Sequence, residues 1–301
     1  MLSGSISTSS AIDLSRLPAP DVVEQLDFEA ILAAMVATLT ELWPDFTAQL
    51  ESEPAMKLLQ VAAWREMLLR QRVNEACRAV MTAYAAGADL DNLAALVGVE
   101  RLTITPADPE NGIPAVMESD TEPRERIILA PESFSVAGPI LAYVFHARSA
   151  HSDVLDASVH SPVPGEVVVT VLSREGTGEP ATEVLDAVEA RVNSRSVRPL
   201  TDLVTVQPPE IVDYAIEADL YLFEGPDSTV VVEAAQAKAE AYVQQVRKLG
   251  RDITLSGLYA ALHVEGVQRV ELIEPEADIV LTETQAGHCT GITLEFAGND
   301  D

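Results

Sequence analysis

The sequence is short of positive charge: 19 lysines and arginines face 48 aspartates and glutamates, for a formal charge of -29. Such a surface repels phosphate backbones and anionic lipid, so neither nucleic acid nor a membrane is expected as a partner. Cysteine is nearly absent as well. Cys77 and Cys289 are the two present and lie far apart, which excludes a disulfide framework or a zinc site and points to reduced thiols. Long apolar runs are missing: ILAAMVATLT is too short to span a bilayer, and MLSGSISTSS has neither the basic nor the apolar part of a signal peptide. The expectation is a soluble chain synthesised in a cytosol.

Signatures of chemistry are equally scarce. There is no GxSxG, neither cysteine has a local nucleophile signature, and the GTG of SREGTGEP lacks the GK[ST] of a phosphate loop. The segment DLDNLAALVGVE has acids at the first, third and twelfth positions of a calcium loop. It puts Leu93 and Ala94 where the fifth ligand and the turn glycine belong. His146 and His151 in FHARSAH, with Asp153 close behind, form the nearest thing to a metal set. Five residues apart, however, the two histidines align well on neither strand nor helix. His263 suits a helix terminus better than catalysis. No catalytic residue, cofactor or metal is therefore expected.

What the chain does contain is secondary-structure rhythm, over a length that suggests about two domains. Residues 1–26 carry serine, proline and aperiodic apolar residues and read as an extended arm. Residues 27–100 read as a helical bundle region, opening on Asp27 as N-cap with Phe28, Ile31, Leu32, Met35, Val36, Leu39 and Leu42 at helical spacing. Pro44 ends that helix. A second, unusually long one runs from Pro54 to residue 86 with Gly87 as its stop, and a short third helix is capped by Asp89 and stopped by Gly98.

Residues 101–160 read as a linker and a mostly β middle segment, in which LAYVFHARSAHSDVLDASV is taken as a strand or a bent pair of strands. From 161 to 301 an α+β module is expected, with two strand-helix-strand units forming a sandwich of sheet and helices. Its clearest strand is EIVDYAIEADLYLF, with Val212, Tyr214, Ile216, Ala218, Leu220 and Leu222 on one face. The fold class is α+β.

The long helix carries the candidate site. At about 100° per residue, Leu58, Ala62, Leu69, Val73, Ala76 and Val80 share one stripe with Arg65 and Arg72, while Leu59, Met67, Cys77 and Met81 form a second apolar patch. Trp64 and Leu68 lie on a third flank. A helix apolar on several sides needs more than one neighbour. Arginines on such a stripe either snorkel to its edge or pair with carboxylates of a neighbouring helix.

Beyond these patterns, EPAMKLLQVAAWREMLLRQRVNEACRAVMTAYAAGADLDNLAALVGVERL resembles the amino-terminal signature of the baseplate J-like proteins of contractile-tailed bacteriophages and related injection systems. ESDTEPRERIILAPESFSVAGPILAYVFHARSA, SPVPGEVVVTVLSREG, VRPLTDLVTVQ and GRDITLSGLYAALHVEGVQRVELIEP resemble the same family in the same order, so the likeness runs from Leu26 to about residue 297. The resemblance implies a noncatalytic structural role in the virion tail baseplate. Its implied partners are a second baseplate wedge protein joined through bundled helices, other copies of the chain in a ring around the hub, and the sheath-initiating wedge subunit. In this sequence the implied partner-helix interface is Leu58, Ala62, Trp64, Arg65, Leu69, Arg72, Val73, Ala76 and Val80. A tail-associated hydrolase with a helical adaptor is the alternative, and it would require carboxylates converging in a pocket.

Overall fold

The computed structural model of the chain describes residues 24–46, 50–135, 137–225 and 228–299, so most of the arm expected over 1–26 lies outside the described residues. It divides between Glu100 and Arg101 into two compact units.

In the amino-terminal unit, Asp27 caps α1 (Phe28–Leu42) by accepting hydrogen bonds from the backbone N–H groups of Glu29 and Ala30, satisfying donors that the first turn leaves over. The second helix, α2 (Pro54–Ala79), begins as proline allows, with Pro54 in its first turn. It is about 39 Å long at 1.5 Å per residue and stops seven residues before the expected end at 86. Val80 is its C-cap, and a turn follows in which the N–H groups of Tyr84 and Ala85 return to the carbonyl of Met81 at 2.9 and 2.8 Å. Gly87 is thus the first residue of α3 (Gly87–Ala95) rather than the stop of α2, and Asp89 lies in the first turn of α3 without a capping bond. Gly98 does end α3. At φ 71° it turns the chain so that the Val99 N–H reaches back to Ala94 at 3.0 Å.

The carboxy-terminal unit mixes helix and strand. A small antiparallel pair, β1 (Thr103–Thr105) and β2 (Val116–Met117), lies within the stretch expected as linker. It leads into α4 (Thr121–Leu129), a 3-10 turn (Ala130–Phe134) and α5 (Ile140–Arg148). Here the expected β segment is corrected: LAYVFHAR is helical and only Val154 onward is extended, as β3 (Val154–His160). Ala142, Tyr143, Val144, Phe145 and Ala147 are all buried, so α5 is an interior helix whose apolar residues show no face for periodicity to detect.

β3 pairs antiparallel with β4 (Glu166–Ser173), and β4 runs parallel to β5 (Leu203–Gln207) across the intervening helix α6 (Thr182–Val192). The first sheet therefore begins before residue 161.

A second sheet is built around β6 (Glu210–Leu222), flanked by antiparallel β7 (Val267–Glu274) and parallel β8 (Gln285–Asn299). Two helices, α7 (Ser228–Val246) and α8 (Leu255–Leu262), join β6 to β7. Tyr214, Ile216, Ala218, Leu220 and Leu222 of β6 are buried, as the strict alternation of the strand predicts. Their core partners include Val231, Ala235, Ala239 and Val246 of α7 and Leu258 and Leu262 of α8. β8 was not anticipated from the sequence. Its Gly287 lies where a Cβ would meet Ile253 Cδ1 at 2.7 Å and Tyr214 Cε1 at 3.2 Å, so a larger residue here requires Ile253 to shift.

Candidate assembly interface

α1 chooses among the apolar sides of α2. Ala63, with no exposed surface, sits between Leu59 and Met67 one turn to either side, and against it pack Ile31 and Leu32, supported by Phe28, Met35 and Val36. The small side chain lets α1 approach closely, and its two larger neighbours grip the flanks.

On the same side of α2, Asn74 is buried and its amide brackets the chain at Glu24. The Glu24 N–H donates to Asn74 Oδ1 at 3.1 Å, and Asn74 Nδ2 donates to the Glu24 carbonyl at 2.9 Å. Arg70 adds ion pairs to the Glu24 carboxylate at 2.9 Å and to Glu66 at 2.7 Å. Neither Asn74 nor Arg70 stood out in the sequence. A buried amide within a helix is the signal that exists, but nothing local distinguishes it from a surface asparagine.

The stripe expected as the partner interface lies on the other side. Leu58, Trp64 and Leu69 are 72%, 52% and 68% exposed, Val73 and Val80 are exposed too, and so are Ala62, Arg65, Arg72 and Ala76. Eight of these nine residues lie on α2 itself, while Val80 sits just past its end as the C-cap. Val61 borders the same stripe, and Leu68 is exposed beside Trp64 on the third flank. This is a large share of exposed apolar side chains for one helix, interrupted by the two arginines. Neither the Arg65 nor the Arg72 side chain forms an ion pair or hydrogen bond with any other described residue.

Shallow apolar grooves of about 620 and 650 Å³ also run along either side of α1. The acids on the first are engaged: Asp27 caps α1, and Glu66 pairs with Arg70.

The carboxy-terminal unit contains several buried and half-buried ion pairs. Glu118 pairs with Arg126, both almost wholly enclosed. Arg101 reaches Asp120 at 2.7 Å, Arg174 reaches Glu122 at 2.8 Å, and Glu125 is gripped by Arg148 at 2.5 Å and Lys248 at 3.3 Å. Asp156 is buried and accepts the Leu249 N–H at 3.1 Å. These carboxylates meet cations or backbone N–H groups, an arrangement that ties elements together rather than one that holds a reacting group.

His146, His151 and Asp153 are not brought together as a metal set. His151 Nδ1 accepts from the Asp153 N–H at 3.1 Å, the Asp153 carboxylate holds Ser173 Oγ at 2.6 Å, and His146 belongs to α5. Among the described residues no group of three or more histidine, cysteine or acidic side chains is placed to hold a metal ion. No helix among them is long and apolar enough to cross a membrane.

The pairs imply opposing pH effects. Burial works to raise the Glu125 carboxyl, but Arg148 and Lys248 outweigh it and hold the group below its ordinary range. A depressed carboxylate contributes stability above the unfolded value and loses it as pH falls through the folded one. Asp156 runs the other way, because burial pushes it up despite Arg148 and Lys248. Its contribution is fullest at low pH and declines as pH rises through its raised folded value. Glu125→Gln is therefore expected to flatten the acid-side loss of stability below about pH 4, and Asp156→Asn to flatten the decline on the other side. Urea midpoints across a pH series check both; parallel curves for parent and variants would refute the assignment.

Three family models match the chain in order. The Baseplate J-like N-terminal domain covers residues 51–108, the Baseplate J-like central domain 135–208 and the Baseplate J-like protein C-terminal domain 214–295. Over 299 residues the chain is 54% identical to "Baseplate protein J" of Escherichia phage P2, covering 96% of this chain and 99% of that protein. Among solved structures, a chain of the anti-feeding prophage (AFP) baseplate, determined by cryo-EM, aligns with a TM-score of 0.42 at 16% identity. That alignment covers 59% of this chain and 44% of the other, so less than half of the solved chain is spanned.

Proposed function

This chain belongs to the baseplate J-like protein family, and we propose that it is a structural wedge subunit of a contractile-tail baseplate whose α2 face docks against helices of a second wedge protein. The observation that carries this reading is the exposed apolar face of α2, which α1 leaves open.

Magnitudes favour a bundle over a single added helix. Fully burying one leucine or valine is worth about 1.5–3 kcal/mol, so the large apolar residues of this face supply on the order of 10 kcal/mol. Association alone costs about 4–15 kcal/mol. A partner that covered only this stripe would bind weakly, and the grooves beside α1 give further helices somewhere to lie.

The carboxy-terminal sheets contact neighbouring copies, linking wedges into a ring around the hub that changes shape when contraction is triggered. The sheath-initiating subunit joins the same wedge. Strand edges at β3, β5, β7 and, beyond its bridge to Leu249, β8 have no strand partner among the described residues and support this part, because long edges are ordinarily covered or guarded.

Coexpression with the candidate wedge partner tests the reading. The parent is expected to copurify as a complex, and Leu69→Glu to weaken that complex by about 2 kcal/mol or more, roughly 30-fold in Kd, with unchanged circular dichroism. A parent that stays monomeric in the presence of every wedge protein of its particle would overturn the proposal.

A further inference from the structure

Resting on the reading that the α2 face takes a partner's helix, we propose the chemistry of that helix: an apolar stripe interrupted by two carboxylates seven residues apart, one for Arg65 and one for Arg72. The two arginines are two helical turns apart, about 10.5 Å along the axis, and they rise from among Leu58, Val61, Leu69 and Val73. When a partner covers those side chains, the guanidinium groups lose water and need anions in return.

This chain does not supply the anions. In a protein with 48 acidic residues, Arg65 and Arg72 have no carboxylate partner among the described residues. The nearby acids of α2 are turned elsewhere: Glu66 pairs with Arg70 at 2.7 Å, and Glu75 accepts from Gln71 at 2.9 Å.

A second copy of α2 fits poorly. An antiparallel two-fold pair centred near Leu69 sets Arg65 against Arg72 of the copy, and an in-register parallel pair sets each arginine against itself. Either juxtaposes like charges in a drying interface. The face is therefore built for a different, acidic helix, and two cations at fixed spacing set the register in which it docks.

Synthetic helical peptides with a leucine stripe provide the probe, carrying at two stripe positions seven residues apart either glutamate, glutamine or lysine. They are titrated into full-length protein in a Trp43→Phe background, so that Trp64 emission reports on the face. The glutamate peptide is expected to bind at least tenfold more tightly than the glutamine peptide, and the lysine peptide most weakly. That advantage should shrink with added salt and vanish in Arg65→Met/Arg72→Met.

Equal affinity for the glutamate and glutamine peptides would overturn the acidic-register proposal while leaving helix docking intact. A peptide-independent change of Trp64 emission with protein concentration would make a second copy the occupant and overturn it also. If no peptide shifts Trp64 emission even at millimolar concentration, this proposal fails, whereas the docking reading, which calls for a bundle, stands or falls on the copurification.

Discussion

Glu118→Ala is expected to destabilise the carboxy-terminal unit by about 3–5 kcal/mol, because it leaves a guanidinium buried without its carboxylate. Arg126 and Glu118 are both almost fully enclosed, and the acid does more than neutralise a charge. Its Oε2 also accepts the Leu102 N–H at 2.8 Å, and its backbone carbonyl accepts from Arg101 at 2.7 Å, so one residue fastens the β1–β2 pair to α4. Burial raises the Glu118 carboxyl above its ordinary range, with the Leu102 N–H and Arg126 opposing, which marks the enclosure as costly even when the pair is intact.

The double variant Glu118→Leu/Arg126→Met should therefore cost much less than either truncation alone, since apolar groups of similar volume remove the desolvation of both ions. Urea unfolding followed by circular dichroism measures the difference. A Glu118→Ala midpoint within error of the parent would show that the pair is hydrated in solution.

Ala63→Asp should separate the helical hairpin. A carboxylate at this position would lie among Ile31, Leu32, Leu59 and Met67, at a cost of about 2–7 kcal/mol without a hydrogen-bonding partner. Because the α1–α2 core is small, that cost is comparable with everything the contact supplies. Both tryptophans, Trp43 and Trp64, lie in this unit, so indole emission reads it separately from the rest. The expected result is a red-shifted spectrum and loss of the wedge complex while the tyrosine signal of the other unit is retained. Unchanged emission with full complex formation would rule out the α1 packing described above.

Legibility in the sequence followed the type of burial. β6 has one buried face, so its period of two was plain, and α1 had both an apolar period and an aspartate cap. α5 is buried nearly all round and rich in residues that suit strands, so it was mistaken for one; Pro139 at its N-cap was the available clue. The end of α2 at Ala79 had no proline or glycine before residue 87 to announce it, and the turn that follows closes on Met81 with Ala85 buried. β8 hid behind Gly287 and Gly291, although Ile292, Leu294 and Phe296 alternate after them.

For the candidate interface, helical periodicity grouped most of its residues on one stripe, and the structure leaves them exposed. It could not say which apolar side of α2 would be taken by α1, because the decision rests on how small Ala63 is between two larger side chains.

The strand order β7-β6-β8 also has a kinetic meaning. β6 is made before either of its neighbours, and its parallel partner begins at Gln285, opposite Glu210. Until that distant segment has been synthesised, a strand of 13 residues with a largely apolar face has α7, α8 and β7 to lean on but one edge without its partner. Pairings of such long sequence separation form slowly and leave sticky edges exposed meanwhile. Closure of the β6–β8 pairing, the longest in sequence separation among the described strand pairs, is thus expected to be the slow step in folding of the carboxy-terminal unit.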